Sequence, residues 1–351
     1  MNMNITDILV AAKEAEASDI HLVAGKPPTF RIHGVLENMP GCEEKLMPLD
    51  VKELAYSILN EDQEKSFEKN KELDFSFGIA GVGRYRVNVH VQRGTIGVSI
   101  RSLSTEIPDF SKLGLPEVVR SFTEYENGLI LVTGPTGSGK STTLASLIDK
   151  INKEKAHHII TVEDPIEYLH THKRALVEQR ELKSDTASFS TALKYALRQD
   201  PDVILIGEMR DLETITAALT AAETGHLVFG TLHTNSAAKT IDRIIDVFPM
   251  DQQSQIRIQL STSLRAVLAQ QLVPSTDHKR KVACEIMVGT PAIGNLIREN
   301  KTYQIPSMIE TGMRHGMISM DAFLEKLLKQ GKITTQEFEK RSSVKKNRND
   351  L

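Results

Sequence analysis

The eight residues Gly134–Ser141, GPTGSGKS, satisfy the full pattern G-x-x-x-x-G-K-[ST]. An apolar run precedes them and a helix-forming run, TTLASLI, follows. Gly134, Gly137 and Gly139 allow the backbone to curl, so that successive N–H groups, including those around Pro135, Thr136 and Ser138, can face phosphate oxygens. The helix that follows adds the favourable end of its dipole. In such a loop Lys140 reaches the β- and γ-phosphates, Ser141 offers a hydroxyl to Mg²⁺, and Thr142 closes the cradle. The chemistry is the binding of a nucleotide, ATP with Mg²⁺.

Rapid hydrolysis also needs a group that activates water and an acid near the metal. Two apolar runs end in such acids: IITVEDP in Glu163–Asp164, and VILIGE in Glu208. Ligands of open α/β sheets bind at the carboxyl ends of the strands, where these acids fall. One carboxylate can polarise water while the other holds the metal. The plain alternative for either is helix capping or pairing with Arg210. His226 and His233 bracket a third such run, HLVFGTLHT, and the polar cluster Thr231, His233 and Thr234 suits a γ-phosphate sensor. His157–His158 and His170–His172 lack metal-ligand spacing and read as surface residues. Cys42 and Cys284 have no second cysteine nearby and read as ordinary thiols.

The elements that must position these groups follow from periodicity. Residues 5–16 form an amphipathic helix carrying Ile5, Ile8, Leu9 and Ala12. Strands follow at Ile20–Val23, Phe30–Ile32 and Asp74–Phe77, then a long alternating strand, Gly83–Arg101, with Tyr85, Val87, Val89 and Val91 on one face. This predicts a small α+β domain over 1–103, and the proline- and glycine-bearing stretch 104–116 reads as a linker. Beyond it, Leu129–Thr133, Ile159–Val162, Val203–Ile206 and Leu227–Gly230 are short apolar runs of the buried parallel type. Helices alternate with them, one on Phe189, Ala192, Leu193, Ala196 and Leu197, another from Asp211 to Thr224 that meets Gly225 as a C-cap. The expectation is an α/β domain with a largely parallel sheet over 117–288. From Asp251 the chain reads as mostly helical, with stripes at Ile256, Leu260, Leu264, Val267 and Leu268, at Ala292, Ile293, Leu296 and Ile297, and at Met320, Phe323, Leu324, Leu327 and Leu328. Residues 289–351 are thus expected to be a helical C-terminal region with a frayed polar tail.

The formal net charge of −3, the 5% aromatic content and the absence of tryptophan argue against a nucleic-acid partner. No run approaches the roughly 18 apolar residues of a membrane span. The N-terminus lacks a basic-then-apolar signal, so the cytoplasm is the expected compartment.

Taken in order, GPTGSGKS, ITVEDPIEY, ILIGEMRDLETI and GHLVFGTLHTNSA resemble the Walker A, Asp-box, Walker B and His-box series of secretion and pilus ATPases. GEMRDLETI, IRENKTYQI and ASDIHLVAGKPPTFRIHG are similar to the PilT-type retraction ATPases of twitching motility. The resemblance implies a homohexamer of PAS-like N-terminal and RecA-like ATPase domains that drives type IV pilus retraction. It would sit at the inner membrane on the cytoplasmic side of the pilus base, against a platform protein. It implies Glu163 as catalytic base, Glu208 as Walker B acid, and phosphate-neutralising arginines from the first domain, for which Arg86 and Arg101 are the choice. Pilus-extension relatives carry a four-cysteine zinc element and a further N-terminal domain, neither found here, which favours retraction. Secretion and DNA-uptake ATPases would share the same site, and a nucleic-acid translocase or a nucleotide-gated module with little turnover are the rivals from other classes. One departure is AIGNLIRE, with Gly294 where the family shows arginine in AIRNLIRE. Position 294 lies off the apolar stripe, so it is expected to face solvent or a partner, with Arg298 one turn along the same face.

Overall fold

The computed structural model describes residues 4–79, 81–103, 106–277 and 279–342. The chain divides into two compact units: residues up to Glu106 together with Pro165–Leu169, and Ile107–Asp164 together with the chain from His170 onward.

The first unit begins with α1 (Ile5–Glu14), capped by Asn4, whose side chain accepts the Asp7 N–H at 2.9 Å. Its buried stripe is Ile5, Ile8, Leu9 and Ala12. Strands β1 (Asp19–Val23), β2 (Thr29–Ile32) and β3 (Val35–Asn38) follow, then α2 (Pro48–Tyr56), α3 (Glu61–Asn70), β4 (Glu72–Ile79), β5 (Gly83–Gln92) and β6 (Thr95–Leu103). Among the described residues these strands make one antiparallel sheet, ordered β3-β2-β1-β6-β5-β4. The single long strand expected over Gly83–Arg101 is therefore a hairpin. It turns at Arg93–Gly94, both at positive φ (49° and 74°), the twist that a two-residue hairpin loop requires. Tyr85, Val87 and Val89 are buried as alternation predicts, but Val91, at the turn, is 41% exposed. β3 gave no periodic signal because all four of its residues are exposed.

The second unit carries α4 (Glu117–Ser121), β7 (Gly128–Thr133), α5 (Lys140–Glu154), β8 (His158–Glu163), β9 (Leu176–Glu181), α6 (Phe189–Ala196), β10 (Val203–Ile206), α7 (Leu212–Glu223), β11 (Leu227–Leu232), α8 (Ala237–Asp246) and α9 (Met250–Ser263). After these come β12 (Leu264–Pro274), β13 (Arg280–Val288), α10 (Pro291–Arg298), α11 (Ile305–Thr311), α12 (Met320–Lys329) and α13 (Thr335–Arg341). The sheet runs β13-β12-β7-β11-β10-β8-β9, with β13 antiparallel and the rest parallel among the described residues. β7, β10 and β11 are buried at every residue, because helices cover both faces. Successive side chains supply opposite cores. Leu129 and Leu131 pack with α7, α8 and α9, while Ile130 and Val132 pack with α5 and α12. Each such side chain contributes about 1.5–3 kcal/mol on burial.

The mostly helical reading from Asp251 is corrected here. Leu264, Val267 and Leu268 belong to β12, not to a helical stripe, and β12 and β13 form a hairpin beside β7. α9 ends at Ser263 and β12 begins at Leu264, with no glycine or proline between them to mark the change. The C-terminal helices share the core of this unit through Ile293, Ile297, Ile305, Ile309 and Met317. The stripe expected on α10 also shifts: Ile293, Gly294 and Ile297 are buried, while Ala292 is exposed. Gly294 lies against α9, where an added Cβ would stand 3.0 Å from the Ser261 carbonyl oxygen. Arg298 does lie at the surface, with Nη1 3.4 Å from Ser261 Oγ. Of the stretch read as a linker, Ser104 and Thr105 lie outside the described residues, and Phe110–Lys112 is a 3₁₀ turn capped by Asp109. The polar tail from residue 343 also lies outside them.

Candidate functional site

The site is built at the carboxyl ends of β7, β8, β10 and β11. β7 delivers Gly134, and α5 starts at Lys140. Gly134, Gly137 and Gly139 have φ of 142°, 76° and 88°, the conformations for which the glycines are needed. At Gly134 space adds a second constraint, since a Cβ there would run into the Gln270 carbonyl oxygen. The result is a tight turn with Pro135, Thr136 and Gly137 exposed at its crest, Ser138 buried, and Lys140, Ser141 and Thr142 half-buried. Lys140 Nζ donates to the carbonyls of Gly134 (2.8 Å) and Pro135 (3.1 Å). A cradle of backbone N–H groups followed by a helix start, an ammonium and a hydroxyl fits a nucleotide phosphate chain.

At the same end of the sheet, three strands from β7, β8 ends in Glu163. Its Oε1 accepts from Thr161 Oγ1 at 2.7 Å and from Gln179 Nε2 at 3.1 Å. Thr161 and Gln179 are partners across the β8–β9 ladder, and the Gln179 Oε1 in turn accepts the His170 N–H at 2.7 Å. The carboxylate is thus oriented from two sides. Gly207 lets the next strand approach it closely, since a Cβ there would stand 3.0 Å from Glu163 Cα.

β10 ends at Ile206, and Glu208 follows with its side chain 19% exposed. It pairs with Arg210 and, at 3.0 Å, with His233 Nε2. The Arg210 pairing weighed as an alternative does occur, yet the same carboxylate also joins the histidine at the end of β11. The bond to the Glu208 carboxylate holds the Arg210 guanidinium above its ordinary range. Asp211 caps α7 by accepting the Thr214 N–H at 2.8 Å, which fixes the segment just after Glu208. Thr231 Oγ1 donates to the Gly207 carbonyl, the Met209 N–H donates to the Thr231 carbonyl at 3.0 Å, and Thr234 pairs with Thr240. Thr231 and Thr234 are thereby occupied in holding the strand ends, and only His233 of that trio reaches an acid.

His226 is not part of the cluster. It precedes β11, where its carbonyl accepts the Gly128 N–H at 3.0 Å and its Nδ1 lies 2.9 Å from the Ala221 carbonyl. That is the opposite end of the strands from the loop, a strand of six residues or about 20 Å away. Its place is structural. Three of the histidines read as surface residues, His157, His158 and His170, are half-buried: His158 lies 3.4 Å from Glu178, and burial pushes the His170 imidazole down to about 4. No group of three or more histidine, cysteine or acidic side chains placed to hold a metal occurs among the described residues. Both cysteines are buried.

Arg86 and Arg101 lie in the first unit, directly opposite each other across the β5–β6 ladder and both exposed. Arg101 Nε donates to Asp19 Oδ1 at 2.8 Å, and Arg31 stands 4.0 Å from the same carboxylate. Burial acts to raise the Asp19 carboxyl, but the bonds from Arg101 and Ser18 outweigh it and leave it below the usual carboxylate range.

Sequence reasoning missed two residues beside the loop and the acid, Gln270 and Gln179. Gln270 lies on the misread β12 and is buried against the loop. The only sequence sign is a pair of glutamines interrupting the apolar run LRAVLAQQLV.

Residues 1–316 match the family described as Type II/IV secretion system protein. The chain is 49% identical over 347 residues, 98% of its length and 100% of the other, to the type IV pilus retractation ATPase PilT of Pseudomonas aeruginosa. It is 47% identical over 319 residues, covering 90% of this chain and 84% of the other, to a twitching motility protein of Neisseria gonorrhoeae. A crystal structure of the pilus retraction motor PilT with bound ADP superposes with a TM-score of 0.92 at 51% identity, covering 98% of both chains.

Proposed function

Because the chain belongs to the type II/IV secretion system protein family, and within it to the PilT-type ATPases, we propose that its ATP hydrolysis drives retraction of type IV pili. The observation that carries this is the meeting of the Gly134–Thr142 loop with Glu163, Glu208 and His233 at one end of the parallel sheet. The loop holds the phosphates, with Lys140 as its mobile cation. Glu163, oriented by Thr161 and Gln179, serves as the base that takes the proton of the attacking water. Glu208 and the Ser141 hydroxyl are hard oxygen donors of the kind Mg²⁺ takes, and when bound the ion would neutralise charge on the β- and γ-phosphates. His233, tied to Glu208, reports on the γ-phosphate. Arg86 and Arg101 are proposed as cations that neutralise charge developing on the transferred phosphoryl group. The working form is a homohexamer acting with the pilus platform at the cytoplasmic side of the inner membrane. Among the described residues no helix is long and apolar enough to cross a membrane.

The test replaces the chromosomal gene with a Lys140→Ala version and follows pili by fluorescence. Pili should extend and fail to retract, while the purified variant hydrolyses no ATP. Normal retraction would overturn the function, and normal turnover would remove the loop from the chemistry. Light scattering of the wild-type protein with nucleotide should give the mass of six chains.

A further inference from the structure

Gln270 is the residue on which the phosphate loop is clamped. It lies on β12, one strand from β7, and is 2% exposed. Its Oε1 accepts from Thr143 Oγ1 at 3.0 Å and its Nε2 donates to the Ser138 carbonyl at 2.8 Å. The direction of the amide is settled by chemistry, since the Ser138 carbonyl can only accept. The same residue approaches the loop at two glycines. A Cβ on Gly134 would run into its backbone carbonyl, and one on Gly139 would stand 3.2 Å from its Nε2. Gln270 thus lies against the start of the loop through its backbone carbonyl, and against the buried turn and the first turn of the following helix through its side chain.

The consequence follows from peptide geometry. The Ser138 carbonyl and the Gly139 N–H belong to one trans peptide and point in opposite directions. Holding the carbonyl on β12 turns the Gly139 N–H away from β12, so the clamp sets the direction of a donor in the phosphate cradle. Such donors act only when they are aimed before the ligand arrives.

We propose that Gln270 is a positioning residue for nucleotide binding: it fixes the Ser138–Gly139 peptide so that the loop presents its N–H groups to the di- and triphosphate. This rests on the reading of Gly134–Thr142 as the phosphate loop. Gln270 touches neither water nor a reacting atom in this scheme, so its removal should weaken binding more than it slows the bound complex.

The experiment measures ADP affinity by calorimetry and the KM and kcat for ATP with Mg²⁺ on the full-length purified protein. Gln270→Met keeps length and loses both bonds. It should raise the ADP Kd and the ATP KM by about tenfold or more, the scale of a lost buried hydrogen bond, with kcat within about threefold. Gln270→Glu adds a pH readout. Its neutral acid can donate to the Ser138 carbonyl and its anion cannot, so ADP affinity should tighten as pH falls from 8 to 6 beyond any change in the wild type. Should either variant fail to fold by circular dichroism, Thr143→Val removes only the hydroxyl that orients the amide, and should raise the ADP Kd several-fold. Wild-type ADP affinity in Gln270→Met or, failing that, in Thr143→Val overturns the proposal, as does a Gln270→Glu affinity that follows the wild-type pH trend. Lys140→Ala run alongside separates the two levels. If it binds ADP normally, the phosphate-loop reading itself falls; if it loses ADP while Gln270→Met does not, only the clamp is lost.

Discussion

The two sheets place their polar residues in different ways. In the second unit, β7, β10 and β11 are sealed along their whole length, and polar groups gather where the strands end: Glu163, Glu208, His233 and the glycine loop. In the first unit the sheet has one buried face, and its polar residues run along the other: Asp19, Arg31, Arg86, Arg101. A parallel sheet covered on both sides has nowhere to put a charge except its ends, so it concentrates chemistry there. An antiparallel sheet with an open face spreads charge over a surface, where each group is solvated and easily replaced. A substitution at a strand end in the second unit should therefore cost function steeply, and one on the open face of the first should cost little unless that residue meets phosphate.

Glu163→Gln carries the largest expected effect. Glutamine keeps the size and accepts from Thr161, but it cannot take a proton. Turnover should fall by ~10²-fold or more while ATP affinity stays within a few fold. Phosphate release and nucleotide titration on the same sample check this; if Glu208→Gln shows that pattern and Glu163→Gln does not, the base sits on β10's end instead. Arg101→Ala and Arg86→Ala test the other half of the contrast. Each should lower turnover by about tenfold, well short of the full effect of a phosphate-stabilising arginine, with melting temperature nearly unchanged because exposed pairs are worth little. Unchanged turnover would make the open face an ordinary solvated surface.

Gly294→Arg sets packing against propensity. Arginine gains about 0.5–1 kcal/mol over glycine in a helix, yet its Cβ must push on the Ser261 carbonyl, and overpacking costs about 1–3 kcal/mol. Net destabilisation is expected, read as a lower denaturation midpoint, with basal ATP turnover retained. A rise in stability would show that α9 yields freely. The smallest effect belongs to Asp19→Asn. Asp19 is held below its ordinary value when folded, so its contribution is present above the unfolded value of 3.8 and is lost as pH falls through the folded one. The variant should be weaker by no more than ~1 kcal/mol at pH 7, and the difference should vanish on acidification below that window. Denaturant titrations at pH 7 and at a series of pH values falling below 3.8 decide it, the difference shrinking steadily along the series.

How far the sequence carried depended on whether a feature was local. The loop was legible because glycines, lysine and serine are neighbours in the chain, and β7, β10 and β11 were legible because sealed strands are apolar at every position. β12 was not. Leu260 and Leu264 satisfy a helical spacing across the junction at Ser263, and the strand's reason for being there is a partner, β7, more than a hundred residues earlier. Gln270 and Gln179 were hidden for the same reason, since each acts on residues far from it in the chain, Gln179 across the β8–β9 ladder and Gln270 on the loop and α5. His226 and His233 looked equivalent as brackets of one strand, but a strand has two ends and only one faces the loop.

The glycine of α10 has a consequence for exchanges between relatives. Where Gly294 meets Ser261, two helices have settled at a separation that a Cβ would enter only by pushing the Ser261 carbonyl aside by a few tenths of an ångström. An arginine carried over from a relative would arrive without the matching position of α9, and the two changes would not add. Arginine at 294 alone should look harmful here. Paired with substitutions in α9 that relieve the Ser261 contact, it should look neutral or better. The cost of a residue at this position is thus a property of the pair of helices, and a scan of single substitutions would assign to residue 294 a constraint that belongs to its neighbour.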